Sequence, residues 1–180
     1  MSIFKPLGYI TFAISIVQFG LLAYSQEAVR LGTPISEEQL AEFDLIATPD
    51  GLGFPEGSGT AREGKAVYDT RCAACHAATG EGISGRTVIT GGDMQSEEAP
   101  LRTVGSYWPY ASTIFDFVRR AMPADAPKSL SNEEVYQVTA YVLYLNGIIQ
   151  EDTLINADSL NAIKMPNADG FIDRSHIHSN

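Results

Sequence analysis

Cysteine and histidine are scarce in this chain of 180 residues, which contains two cysteines and three histidines. A structural zinc site needs four ligands. The two cysteines and the adjacent His76 supply three, while His176 and His178 lie far away in a polar tail. The composition therefore disfavours zinc without eliminating it.

Basic residues are also few, and this limits the classes of partner. The chain has 12 Lys and Arg against 22 Asp and Glu, for a net charge of -10. Proteins that bind nucleic acid present a basic face, so this balance argues against that function. An acidic surface suits docking on a basic partner, although it also serves solubility.

Internal repeats and strong strand patterns are absent, which favours an all-α fold. Capping boxes of the type Ser/Thr-x-x-Glu/Gln mark helix starts, and proline or Asn-Gly marks helix ends. Hydrophobic residues make up 44% of the chain, enough for the core of one domain with extensions. The pattern predicts helices over residues 36–43, 60–71, 112–121, 131–145 and, more briefly, 158–163.

The two cysteines form the motif Cys72-Ala73-Ala74-Cys75-His76. C-x-x-C-H is typical of covalent c-type haem attachment. One helical turn brings both sulfurs to one edge of the porphyrin and directs the imidazole at the iron. The motif predicts one haem c bound through Cys72 and Cys75, with His76 as an axial ligand. A thiol–disulfide redox pair is the other reading, although the chain lacks the strand–helix alternation of a thioredoxin-like unit.

The first 25 residues predict a signal peptide. Lys5 gives a short basic region, residues 7–23 are almost all apolar, and small residues precede Gln26. The apolar run is long for a signal peptide and barely spans a bilayer, so an uncleaved membrane anchor is the alternative. Because haem c is attached outside the bacterial cytoplasm, the motif and the export signal agree on a periplasmic protein.

The sixth ligand of the iron is predicted to be Met122. Methionine–histidine ligation raises the reduction potential of haem, and Met122-Pro123 lies in a loop between two predicted helices. Met165 and Met94 are the other methionines after His76. An open sixth position or a histidine from the tail also remains, and any one of these methionines could instead fill a gap in the core.

An aromatic cluster, Tyr107-Trp108-Pro109-Tyr110, precedes the third long helix. A buried tryptophan or tyrosine needs a partner for its polar atom. Haem propionates would serve, so Trp108 is predicted to contact the haem, with Arg102 or Arg86 pairing with the propionates. The alternative is an ordinary aromatic core.

The order of these features resembles class I cytochrome c: a helix into the haem motif, a loop, a Met-Pro and a final amphipathic helix. Several stretches further resemble the cytochrome subunits of bacterial sulfur and sulfite dehydrogenases, the SoxD type. The resemblance covers about residues 31–173 and is carried by residues 51–59, 103–111, 119–123, 140–147 and 164–167.

The resemblance implies a class I cytochrome c fold with N-terminal and C-terminal extensions. In that fold the first and last helices cross closely, which places Gly64 opposite Tyr141 or Tyr144. We divide the chain into a signal peptide or anchor (1–25), an N-terminal extension (26–59), the monohaem domain (60–149) and a C-terminal extension (150–180).

The resemblance also implies the axial pair His76 and Met122, and a function. The protein would accept electrons from a molybdenum-containing sulfite or sulfane dehydrogenase subunit and pass them singly to a downstream cytochrome. Many class I cytochromes orient the axial histidine through a proline soon after it, but no proline lies between His76 and Met94 here. The other hypothesis is a haem enzyme or ligand sensor with an open sixth position.

Overall fold

The computed structural model describes residues 32–41, 43–84, 87–172 and 174, and the predicted signal peptide or anchor lies outside them. Across these ranges β-pairing is limited to the isolated bridges Gly59–Ile155 and Tyr110–Lys164. None of the described helices is long and apolar enough to cross a bilayer. The all-α prediction is confirmed, with helices α1 Glu37–Ala41, α2 Ala61–Arg71, α3 Ala73–His76, α4 Ala111–Ala121, α5 Asn132–Leu145 and α6 Ala157–Asn161.

The chain divides into two compact units, one ending at Leu40 and one beginning at Ala41. The predicted capping box is present at α1, where the Ser36 N–H donates to Gln39 Oε1 at 3.0 Å and the Gln39 N–H donates to Ser36 Oγ at 3.2 Å. The features that follow all belong to the second unit.

Helices α2 and α5 cross closely at Gly64. A Cβ at this position would lie 1.9 Å from the Gln137 carbonyl oxygen and 3.0 Å from Tyr141 Cβ. One turn further along, the rings of Tyr68 and Tyr141 stack with centroids 5.0 Å apart. The predicted crossing is confirmed, with Tyr141 rather than Tyr144 opposite the glycine.

Helix α5 begins at a capping box in which the Ser131 and Glu134 side chains accept from each other's backbone N–H. The structure buries more of this helix than the apolar stripe that its sequence predicts, which consists of Val135, Val138, Val142 and Leu145. The consecutive residues 138–143 are all buried, including Thr139 at 0% exposure. The stripe is too narrow a prediction because α5 is covered by α2 on one side and by α4 on another.

The segment before α2 packs into the core, although its polar, turn-rich sequence suggests a segment that lies on the surface. Phe54 stacks on Phe115 with ring centroids 5.1 Å apart, and Phe115 in turn stacks on Tyr136 at 4.5 Å. The Tyr136 hydroxyl donates to the Pro55 carbonyl oxygen at 3.0 Å. The segment thereby holds α4 against α5.

The segment after α5 also packs on this core and pairs with the segment before α2 through the Gly59–Ile155 bridge. Ile155, Leu160 and Met165 are buried at 0%, 0% and 1% exposure. Arg62 on α2 pairs with Glu151 at 3.0 Å and with Asp152 at 2.8 Å. These exposed ion pairs add little stability, so apolar burial is what holds this segment on the helices.

Candidate functional site

The cysteine motif occupies one helical turn at the end of α2. The backbone N–H groups of Cys75 and His76 donate to the Cys72 carbonyl oxygen at 3.1 and 3.0 Å, which closes the turn. Both cysteines are free thiols, with Cys72 half-buried and Cys75 exposed. The turn presents both thiols and the imidazole within five consecutive residues.

The environment of this turn disfavours a dithiol redox centre. Burial raises the pKa of the Cys72 thiol to about 11, against the smaller opposing effect of Arg71. Redox-active Cys-x-x-C pairs show the reverse shift, toward a thiolate at neutral pH. Zinc is disfavoured as well, because within the described ranges no three His, Cys, Asp or Glu side chains are grouped to hold a metal.

The imidazole of His76 is held by a backbone carbonyl. Its Nδ1 lies 2.6 Å from the carbonyl oxygen of Thr87. A carbonyl can only accept, so Nδ1 carries a proton, and in the neutral ring Nε2 then holds the lone pair. Neutral imidazole in this tautomer has the donor atom that a metal ligand needs. The sequence has no proline soon after His76 to orient the imidazole. The carbonyl oxygen of Thr87 orients it instead.

The loop that follows the motif is fastened to it at two further points. The Tyr68 hydroxyl donates to the Ala77 carbonyl oxygen at 2.9 Å, and the Gly82 N–H donates to the His76 carbonyl oxygen at 2.9 Å. Burial raises the pKa of Tyr68, so its hydroxyl stays protonated as a donor. The backbone at His76 and at the residue after it is thereby restrained.

Met122 follows α4 directly and is the C-cap residue of that helix. Its backbone N–H donates to the Val118 carbonyl oxygen at 3.1 Å, and the side chain is half-buried. A turn follows, closed by the Ala126 N–H on the Pro123 carbonyl oxygen at 3.0 Å. As predicted, Met122 lies at the start of a proline-containing loop between two helices.

The two other candidate methionines have different surroundings. Met165 is 1% exposed and belongs to the apolar core, which matches the gap-filling alternative. Met94 lines a surface cavity together with Gly92, Asn146 and Pro166, a set that includes none of the motif residues. Neither environment singles out its sulfur as a metal ligand.

The aromatic cluster lies next to the helix that carries Met122. The rings of Trp108 and Phe117 meet edge to face, with centroids 5.7 Å apart. Phe117 is 43% exposed, which leaves an apolar surface one turn and a half before Met122. The guanidinium of Arg102 lies 5.1 Å above the Tyr107 ring, and Arg86 lies outside the described residues.

The side chain of Asn146 connects parts of the site to each other. From the sequence, this residue is predicted only to end a helix. Its amide donates to the carbonyl oxygens of Ile89 and Val142 at 3.2 and 2.9 Å, and its Oδ1 accepts from the Gly91 N–H at 3.3 Å. It ties the end of α5 to the loop that carries Thr87. Asn-Gly after an amphipathic helix predicts the cap, but it does not predict this second attachment.

Comparison with known proteins agrees with this geometry. Residues 59–142 match the family described as cytochrome C oxidase, cbb3-type, subunit III. The thiosulfate dehydrogenase of Allochromatium vinosum is 25% identical over an alignment of 146 positions, which covers 73% of this chain and 45% of that protein. The chain thus spans less than half the length of this curated relative.

The sulfane dehydrogenase SoxCD from Paracoccus pantotrophus, known from a crystal structure, is similar in fold as well as in sequence. The match has a TM-score of 0.76 and 34% identity, and it covers 85% of this chain and 76% of that chain. Together with the helix order and the motif turn, this defines a c-type cytochrome fold. The chain belongs to the class I c-type cytochromes, and within them it resembles the cytochrome subunit of bacterial sulfur dehydrogenases, the SoxD type.

Proposed function

We propose that this electron-transfer cytochrome is a periplasmic protein that holds one covalently attached haem c. It accepts electrons from a molybdenum-containing sulfite or sulfane dehydrogenase subunit and passes them singly to a downstream cytochrome. The observation that carries the proposal is the His76 imidazole, whose Nδ1 bonds to the Thr87 carbonyl oxygen and leaves Nε2 for a metal. The donor set of the motif turn, two thiols and one oriented imidazole, fits haem c.

The proposed roles of the residues rest on the motif and on the resemblance to class I cytochromes. When bound, the haem iron supplies a one-electron carrier, and the protein sets its ligands and surroundings. Cys72 and Cys75 would form the thioether links, and His76 and Met122 would ligate the iron. With a histidine and a methionine as ligands, the iron would have no open position for a substrate, which suits one-electron transfer.

Trp108 and Arg102 are proposed to serve the haem propionates. Trp108 lies against Phe117 on α4, the helix that ends at Met122. Arg102 is exposed and is fixed over the Tyr107 ring, so its guanidinium retains free N–H groups for an anionic partner. The two aromatic rings supply an apolar surface on the helix that precedes Met122.

The choice of electron donor rests on the resemblance to the sulfane dehydrogenase SoxCD. The net charge of -10 is compatible with docking on a basic surface of either partner. The chain contains two cysteines and therefore one haem motif, so we assign one haem to this chain.

The alternative is a haem enzyme or ligand sensor with an open sixth position. The relative from Allochromatium vinosum is named a thiosulfate dehydrogenase, which is the name of an enzyme. This relative is the reason to test the alternative. An absorption spectrum distinguishes the two. A six-coordinate low-spin haem with the weak far-red sulfur–iron band supports the carrier, whereas rapid binding of carbon monoxide by the reduced form supports the enzyme or sensor.

Covalent attachment is tested by the substitutions Cys72→Ala and Cys75→Ala. Each removes one thioether link, so we expect a large loss of covalently bound haem. The measurement is haem content after acid denaturation and extraction with organic solvent, with wild type as the reference. Wild-type covalent haem content in both variants would contradict the proposed attachment.

The proposed partner is tested by purification from the native host. We expect molybdenum to co-elute with the haem iron, and the haem in that fraction to be reduced when a sulfane or sulfite substrate is added. A matched fraction without substrate should stay oxidised. If the haem protein elutes free of molybdenum and sulfur compounds leave it oxidised, the assigned donor is wrong.

A further inference from the structure

The residue that orients His76 has an unusual backbone conformation. Thr87 has a φ of 58°, in the left-handed region, where a β-branched residue is a clear outlier. Such a conformation persists when the surrounding contacts determine it, and it is concentrated at functional sites. The contacts of Thr87 therefore need an explanation beyond closure of the loop.

Thr87 makes two hydrogen bonds to the motif turn, one through its backbone and one through its side chain. Its carbonyl oxygen accepts from His76 Nδ1 at 2.6 Å. Its hydroxyl donates to the carbonyl oxygen of Cys75, the residue immediately before that histidine. The side chain thus fixes the position of the carbonyl relative to the turn that carries the imidazole.

A second threonine of the same loop provides a comparison. The Thr90 hydroxyl donates to the Thr79 carbonyl oxygen at 2.9 Å, and the Ile89 N–H donates to the Gly80 carbonyl oxygen at 2.8 Å. These bonds close the loop on itself. The hydroxyl of Thr87 instead joins the loop to the turn that holds His76.

We propose that Thr87 is a positioning residue for the axial histidine, because its hydroxyl keeps the loop carbonyl on Nδ1 of His76. The inference rests on the proposed role of His76 as a haem ligand. A carbonyl that accepts from the second nitrogen fixes the tautomer and raises the basicity of the ligating nitrogen. A more basic ligand stabilises oxidised iron, so the Thr87 hydroxyl lowers the reduction potential.

The test compares Thr87→Val with Thr87→Ser and Thr90→Val in the haem-containing protein. Valine keeps the branched shape of threonine and removes its hydroxyl, whereas serine keeps the hydroxyl. The readouts are the reduction potential and the hydrogen exchange rate of His76 Nδ1–H, followed by NMR in protein labelled with ¹⁵N-histidine. For Thr87→Val we expect a more positive potential and exchange faster by about twofold to tenfold, the range that one hydrogen bond contributes.

We expect the control Thr90→Val to keep the wild-type reduction potential and exchange rate. We expect Thr87→Ser to stay close to wild type in both. If Thr87→Val matches wild type in both readouts, the proposal is overturned. If Thr87→Val does not mature, the test uses wild type and Thr87→Ser. The proposal is overturned if the Nδ1–H of His76 exchanges in either protein as fast as in an exposed imidazole. Failure of the proposed function is distinguishable, because wild type would then carry no covalent haem.

Discussion

Replacing Gly64 by alanine is expected to destabilise the haem-containing protein by about 3 kcal/mol, within the range for overpacked core positions. The added Cβ would lie 1.9 Å from the Gln137 carbonyl oxygen. That oxygen belongs to the backbone of α5, so it cannot move aside as a flexible side chain could. Helices α2 and α5 would have to separate, and the Tyr68–Tyr141 stacking at 5.0 Å would loosen.

The matched control is Ala66→Gly, an exposed position on the same helix. Glycine costs about 1 kcal/mol relative to alanine in a helix interior, so alanine is the better residue at position 66 and the worse one at position 64. Urea unfolding followed by circular dichroism measures both variants. A Gly64→Ala protein as stable as wild type would show that the helices do not approach this closely.

Replacing Met122 by histidine is expected to keep the haem attached, to abolish the far-red sulfur–iron band and to lower the reduction potential. Imidazole replaces a soft thioether and stabilises ferric iron. The fall should be on the order of 0.2 V, a fraction of the range of about 0.8 V that axial ligands span. Absorption spectroscopy and a redox titration measure these effects.

The other methionines provide controls of matched chemistry. Met165→Leu changes a core side chain that is 1% exposed, so its cost should fall on stability, below about 1.5 kcal/mol for a volume-conserving exchange. Met94→Leu changes a residue of the surface cavity. Both variants should retain the far-red band. If the band survives in Met122→His and disappears in either leucine variant, the sixth ligand is not Met122.

Much of the helical framework could be predicted because it is encoded by local chemistry. The capping boxes at Thr60 and Ser131 place the starts of α2 and α5 at Ala61 and Asn132, as the structure shows. Pro123 ends the helix before it because proline lacks the N–H that the next turn requires. The crossing at Gly64 could be predicted as well, but from the resemblance to class I cytochromes.

Other features could not be predicted because they depend on contacts between distant segments. Phe54 reads as part of a turn-rich surface segment, yet it stacks on Phe115, which lies 61 positions later. Thr139 interrupts the apolar pattern of α5 but is completely buried. In both cases the neighbours that decide burial are far away in sequence and show no local signal.

The amino-acid sequence by itself determined the chemical class of this protein, because two thiols and an imidazole within five residues define their own spacing on one helical turn. Only the tertiary structure decided how that imidazole is oriented. The atom that accepts from His76 Nδ1 is the backbone carbonyl oxygen of Thr87, eleven residues away. Every residue has such a carbonyl, so the local sequence could not show which one would be used; the path of the loop brings Thr87 to the motif turn.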